Sequence, residues 1–153
     1  CSAFSLPAGS MVQMSNYVGF ALQQAVELGF HSVLLGGHPG KLVKVAAGIF
    51  QTHSHVADAR LETLCAHAAL MGASVAVIRR LYRARTTEAA IDIIADSKLD
   101  AIWPRLAQAV VRRCQTEAGG ELQVAAAFID NTGRVLGQSS NAFTVAEEVK
   151  RNA

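Results

Sequence analysis

Charge is scarce in this chain of 153 residues: Lys, Arg, Asp and Glu together make up 17%. None of them stands before Glu27. A polyanion-binding surface needs a dense positive field, and a net charge of +2 with pI about 8.6 does not supply one. Aromatics are few, at 6%, and the basic run Arg79, Arg80, Arg83 and Arg85 encloses a lone one, Tyr82, where stacking platforms for single strands use successive aromatics. No nucleic-acid partner is expected, and the basic run reads more simply as a solvated helix face. Long hydrophobic runs are also missing. Hydrophobic residues reach 51%, but much of that excess is alanine. No window approaches the roughly 18 consecutive apolar residues of a membrane helix, so no membrane partner is expected. The uncharged opening lacks the basic start of a signal peptide. The three cysteines, at positions 1, 65 and 114, have no metal-ligand spacing and cannot all pair. Cys65 and Cys114 fall within helical patterns, which predicts buried thiols in a reducing cytoplasm. The chain begins at Cys1 and reads as a fragment of a longer protein or a processed one.

What is present is an α/β pattern. Residues 1–13, with Pro7-Ala8-Gly9-Ser10, read as a linker or lead-in segment, and residues 14–153 as one domain. Ser15 or Asn16 is placed to cap a helix reaching about Leu28, with Gly29 as its left-handed end. His31-Ser32-Val33-Leu34-Leu35 follows as a short buried strand. Three glycines then separate that strand from a short helix starting near Leu42. Ser54 is placed to cap a helix from about Val56 to Met71, and Asp58 and Glu62 suit its dipole. Residues 74–83 read as helix. Thr86 or Thr87 opens another, through Asp96, and Asp100 is placed to cap a longer one to about Ala118. Pro104 is tolerated in its first turn, and Ile102, Leu106, Val110 and Cys114 form its buried stripe. Residues 122–129 and 134–138 make a hairpin about Asp130-Asn131-Thr132-Gly133, and a helix closes the chain. The fold class predicted is α/β, with helices packed on a small mixed sheet and a C-terminal β-hairpin.

The chemistry concentrates between Gly36 and Arg60. Gly36, Gly37 and Gly40 can leave amides facing an outside anion, with Lys41 and Lys44 adding cations. The spacing is not that of a P-loop. The plainer alternative is a tight strand–helix turn with solvent lysines. His53 and His55 should point the same way in an extended loop, with Asp58 close behind. With His38 they could ligate a metal, carry protons, or simply cap and brace the loop. His67 and Trp103 read as packing residues, and Asn131-Thr132-Gly133 as turn chemistry.

Four strings then resemble one family. They are Asn16-Tyr17-Val18-Gly19-Phe20-Ala21-Leu22, Gly37-His38-Pro39-Gly40-Lys41-Leu42-Val43-Lys44, Ala46-Ala47-Gly48-Ile49-Phe50-Gln51-Thr52-His53-Ser54 and Ala57-Asp58-Ala59-Arg60-Leu61-Glu62. The family is the cobalt-precorrin-5B C1-methyltransferases of anaerobic cobalamin biosynthesis. The likeness is continuous over about residues 14–72 and looser beyond, though residues 125–137 are similar to the family's end. Pro39, His55 and Ala59 depart from the usual pattern. The resemblance implies methyl transfer from S-adenosylmethionine to C1 of a cobalt-precorrin, with this chain as the C-terminal domain and an N-terminal half of the same protein as its partner. The cobalt would come with the substrate, so no metal is assigned to the protein. On that basis His38 and His53 are assigned to orienting the macrocycle or moving a proton. Gly36, Gly37 and Gly40 are assigned to the methyl donor. Lys41, Lys44, Thr52, Ser54, Asp58 and Arg60 are assigned to the carboxylate-rich substrate. The alternatives are a non-catalytic tetrapyrrole- or cobalt-binding module, and a homo-oligomer paired through Ala-rich helices.

Overall fold

Residues 124–128 carry no polar side chain, the pattern of a strand covered on both faces. In the computed structural model, which describes residues 4–151, this run lies in the middle strand of a three-stranded mixed sheet. Strand β1 (Ser32–Gly37) runs parallel to β2 (Gln123–Ile129), with Leu35 opposite Ala126 and Gly37 opposite Phe128. Strand β3 (Val135–Gln138) returns antiparallel on the other side of β2. The hairpin forms as expected, with Gly133 at φ +85°. The Asp130 carboxylate ties it together, accepting from the Thr132 and Arg134 amides and the Thr132 hydroxyl.

The helices are α1 (Val18–Glu27), α2 (Pro39–Ala46), α3 (Arg60–Leu70), α4 (Val75–Tyr82), α5 (Thr87–Asp96), α6 (Ile102–Glu117) and α7 (Ala142–Arg151). The chain is therefore α/β, with helices on a small mixed sheet and a hairpin near the C-terminus. Alternate residues of β2 serve different cores. Val124, Ala126 and Phe128 join the larger core with α2, α3, α5 and α6, while Ala125 and Ala127 face α7 and Phe4. All four stripe residues of α6 are fully buried, and Trp103 packs its ring 5.6 Å from that of Phe128. Helix α6 crosses β3 so closely that a Cβ on Gly137 would sit 2.6 Å from Trp103 Cβ and 2.8 Å from Pro104 N.

Several local expectations give way. Neither Ser15 nor Asn16 caps α1: Tyr17 holds that position without a side-chain bond, and Asn16 bonds Thr52 instead. Helix α3 starts at Arg60 rather than near Val56. Ser54 does not cap it, because residues 54–56 form a separate turn closed by Val56 N–H on His53 O. Asp100 offers α6 only its backbone carbonyl, to Trp103 N. Thr86 caps α5 as expected, accepting from Ala89 N. Residues 4–13 include the 3-10 turn Ala8–Ser10, and Phe4 is buried against the α7 side of the sheet. Cys1 lies outside the described residues. Cys65 is half-buried and Cys114 buried, both as free thiols. No helix among the described residues is long and apolar enough to cross a membrane.

Candidate functional site

The glycine turn expected between strand and helix is not a loop. Strand β1 continues through Gly36 and Gly37, His38 is the N-cap, and α2 begins at Pro39 with Gly40 and Lys41 inside it. The amides at that helix start are already used. Pro39 has none, Gly40 N–H donates to His38 Nδ1 at 3.1 Å, and the Lys41 and Leu42 amides donate to His38 O. An anion cradle of free amides is therefore absent here. Packing explains two of the glycines. A Cβ on Gly37 would press on Leu42 at 3.2 Å, and one on Gly40 on His38 Nδ1 and Thr87 Oγ1 at 3.2 and 3.3 Å. Gly36 differs: it is exposed at the carboxyl end of β1.

His38 has both ring nitrogens enclosed by protein. Because Nδ1 accepts from Gly40, the proton of the neutral ring belongs on Nε2. That atom is buried without a hydrogen-bond partner and lies 3.6 Å from Glu88 Oε1. Glu88 also accepts from Asn131 Nδ2 at 3.1 Å. Its own backbone amide, at the start of α5, holds the Glu88 carboxyl below the usual range, helped by Asn131 and His38.

Helix α2 ends after two turns. Gly48, at φ +87°, sends the chain back, with Ile49 N bonded to Lys44 O and Gly48 N to Val45 O. The return brings residues 51–52 against the entry to α1. Tyr17 bridges Gln51, Thr52 N donates to Asn16 O, and the Thr52 hydroxyl donates to Asn16 Oδ1 at 3.3 Å. Lys44 is buried, and its ammonium donates to Thr52 O at 3.0 Å. It holds the loop from beneath and is no solvent cation. Lys41 is exposed, with its ammonium on Ser15 O at 3.1 Å.

On the outer side of this loop His53 and His55 stack, ring centroids 5.1 Å apart, as their spacing predicts. His55 N–H donates to His53 Nδ1, which leaves His53 Nε2 as the outward nitrogen. Ser54 is exposed between them. Asp58 forks onto Arg60 Nε and Nη2 at 2.7 and 2.6 Å, and this hydrogen bonding holds its carboxyl below the usual range. Arg60 reaches on to Thr87 Oγ1 at 3.0 Å. The three imidazoles and Asp58 do not gather into a metal site: among the described residues no three His, Cys, Asp or Glu side chains are grouped to hold one.

Sequence reasoning missed Thr87 and Glu88 and confined Asn131 to turn chemistry. These residues meet Arg60 and His38 across separations of 27 residues for Arg60–Thr87 and 43 for Asn131–Glu88, and no local pattern signals that. Asn16 holds the Thr52 loop and does not cap α1.

The fold and the site define an α/β domain that presents Lys41, His53, Ser54 and a braced Arg60 around one loop beyond the carboxyl end of its edge strand. A family model described as "CbiD, C-terminal domain" matches residues 51–140. The chain belongs to that family. It is 55% identical over 103 residues to the cobalt-precorrin-5B C(1)-methyltransferase of Photorhabdus laumondii, covering 67% of this chain and 27% of the relative. With the Edwardsiella ictaluri protein of the same name it shares 43% over 150 residues, 95% of this chain and 39% of the relative. With that of Desulfitobacterium hafniense it shares 41% over 143 residues, 94% and 37%. The chain thus spans less than two fifths of these relatives' length. No solved structure matches it.

Proposed function

We propose that this chain is the C-terminal domain of an enzyme that methylates C1 of cobalt-precorrin-5B, with S-adenosylmethionine as methyl donor, in cytoplasmic cobalamin biosynthesis. The observation carrying this reading is that the separate family strings fold into one place. Residues 15–17, the α2 lysines and the loop at 51–55 are joined by the Lys41–Ser15, Lys44–Thr52 and Asn16–Thr52 bonds.

Within that reading the residues divide their work. Lys41 and Arg60 are the cations that a carboxylate-rich macrocycle meets. Thr52 and Ser54 set the loop, and Lys44 and Asn16 fix it from below. His53 offers Nε2 to the macrocycle for orientation or proton movement. His38 acts by positioning, because both its nitrogens are turned to the protein. The methyl donor brings an already activated methyl group, so catalysis rests on alignment. Gly37 and Gly40 do not fit a donor cradle, since packing and capping use them. Of the three glycines, Gly36 is the exposed one.

The test is methyl transfer by the complete Edwardsiella ictaluri relative, followed as consumption of cobalt-precorrin-5B. Replacing its residue aligned with Lys41 by alanine is expected to raise KM about 5-fold with kcat little changed, the scale of one exposed charge-assisted contact. Failure of the unaltered relative to transfer a methyl group removes the reading.

A further inference from the structure

Strand β1 forms an edge of the sheet, and no described strand pairs with its outer side. Both its faces are covered nonetheless: Leu35 lies in the larger core and Leu34 packs against the α7 core. Natural edge strands are protected by charge, proline or a covering element. Here the edge opens on a groove of about 1250 Å³ between β1, α1 and residues 9–14, with no Lys, Arg, Asp or Glu in its lining. On the rim Phe20, Leu28 and Phe30 are 64%, 72% and 58% exposed. Contiguous apolar exposure of this kind marks an interaction site.

The chemistry of the groove selects the occupant. A carboxylate-rich small molecule would find no cation there. A polypeptide strand would find backbone donors and acceptors along β1 and apolar side chains beside them. The Edwardsiella relative aligns with 95% of this chain, yet the chain spans only 39% of it, so more than half of that protein lies outside the matched region and supplies polypeptide for such a strand. We infer that the part of the family protein not spanned by this chain docks here, adding a strand to the outer edge of β1 and packing apolar side chains on Phe20 and Leu28. The added strand passes Gly36, at the same end of the sheet as Lys41 and the Thr52 loop. The inference rests on family membership and the groove, not on the methyl-transfer reading.

Hydrogen–deuterium exchange tests it on this chain and on the complete Edwardsiella relative. The peptide covering residues 32–37 is expected to exchange its outward amides freely in this chain. The aligned peptide of the relative is expected to exchange about 100-fold more slowly, as for a strand inside a sheet. In the relative, aspartate at the position aligned with Leu28 should restore fast exchange there, while peptides aligned with α6 stay protected and report an intact fold. In this chain, where Leu28 is mostly exposed, Leu28→Asp should move Tm by no more than about 2 °C. Equal exchange in both proteins, or protection that survives the aspartate, overturns the inference. So does protection in this chain alone with a concentration-dependent dimer in sedimentation, because a second copy would then fill the groove. A relative that is protected but inactive fails only the methyl-transfer reading, and one that is active but unprotected fails only this inference.

Discussion

At the scale of single residues, chemistry here is governed by who already holds each polar group. The Asp58–Arg60 fork is the clearest case, because it ties the loop at 51–59 to the first turn of α5 through Thr87. Its hydrogen bonds hold Asp58 below the ordinary carboxylate range, so the sign of the pH effect follows. A depressed carboxyl contributes stability above its unfolded value, 3.8, and loses it as pH falls through its folded value. Both side chains are more than a quarter exposed, so solvent screening keeps the effect below about 1 kcal/mol. Urea unfolding should show Asp58→Asn less stable than the parent at pH 7, by a margin that narrows as pH falls below 3.8. A margin that does not narrow on acidification would mean the substitution acts by some route other than the ion pair.

At the scale of elements, the contact between α6 and β3 sets a testable limit. Gly137 lies under the first turn of α6, and the atoms a methyl group would meet include the backbone nitrogen of Pro104, which no side-chain rotation can move. Gly137→Ala is therefore expected to cost about 1–3 kcal/mol by denaturant titration, the range for overpacked cores. Gly36→Ala is the control. Its Cβ would touch only Ile129 Cδ1, at 3.4 Å, so its stability should stay within about 0.5 kcal/mol of the parent. Equal costs for the two would mean that close packing at α6 is not what Gly137 provides. The same packing logic explains why the other glycines misled. Gly37 and Gly40 looked like a ligand cradle in sequence, but their missing side chains make room for Leu42, His38 and Thr87.

At the scale of the molecule, one core dominates and Cys114 sits inside it, on the buried face of α6. Burial pushes its thiol up to about 12, which leaves almost no thiolate near neutral pH. Alkylation of Cys114, followed by peptide mass mapping, should run only as fast as the whole domain unfolds and should accelerate with urea in step with global unfolding. Cys65, half-buried on α3 with its thiol on Ile78 O, should label earlier. Fast labelling of Cys114 in native buffer would show that the sheet–α6 core opens locally.

The sequence by itself determined what depends on near neighbours. An apolar stripe marked α6 and an apolar run marked β2, Thr86 marked the start of α5, and Gly29 and Gly133 marked an end and a turn, because caps and left-handed residues act within a few positions of themselves. The motif strings were equally legible as a family likeness. Tertiary structure alone decided which partners those strings meet. Asn16 could cap α1 or hold Thr52, Lys44 could face water or the loop carbonyl, and the Gly40 amide could meet a ligand or His38. Each choice is settled by a partner that folding brings near, and a buried polar group takes the nearest partner that satisfies it. The segment from Gly36 to Arg60 is the site we propose. Gly37 and Gly40, though, make room for packing, and Lys41 is exposed with its ammonium on Ser15 O.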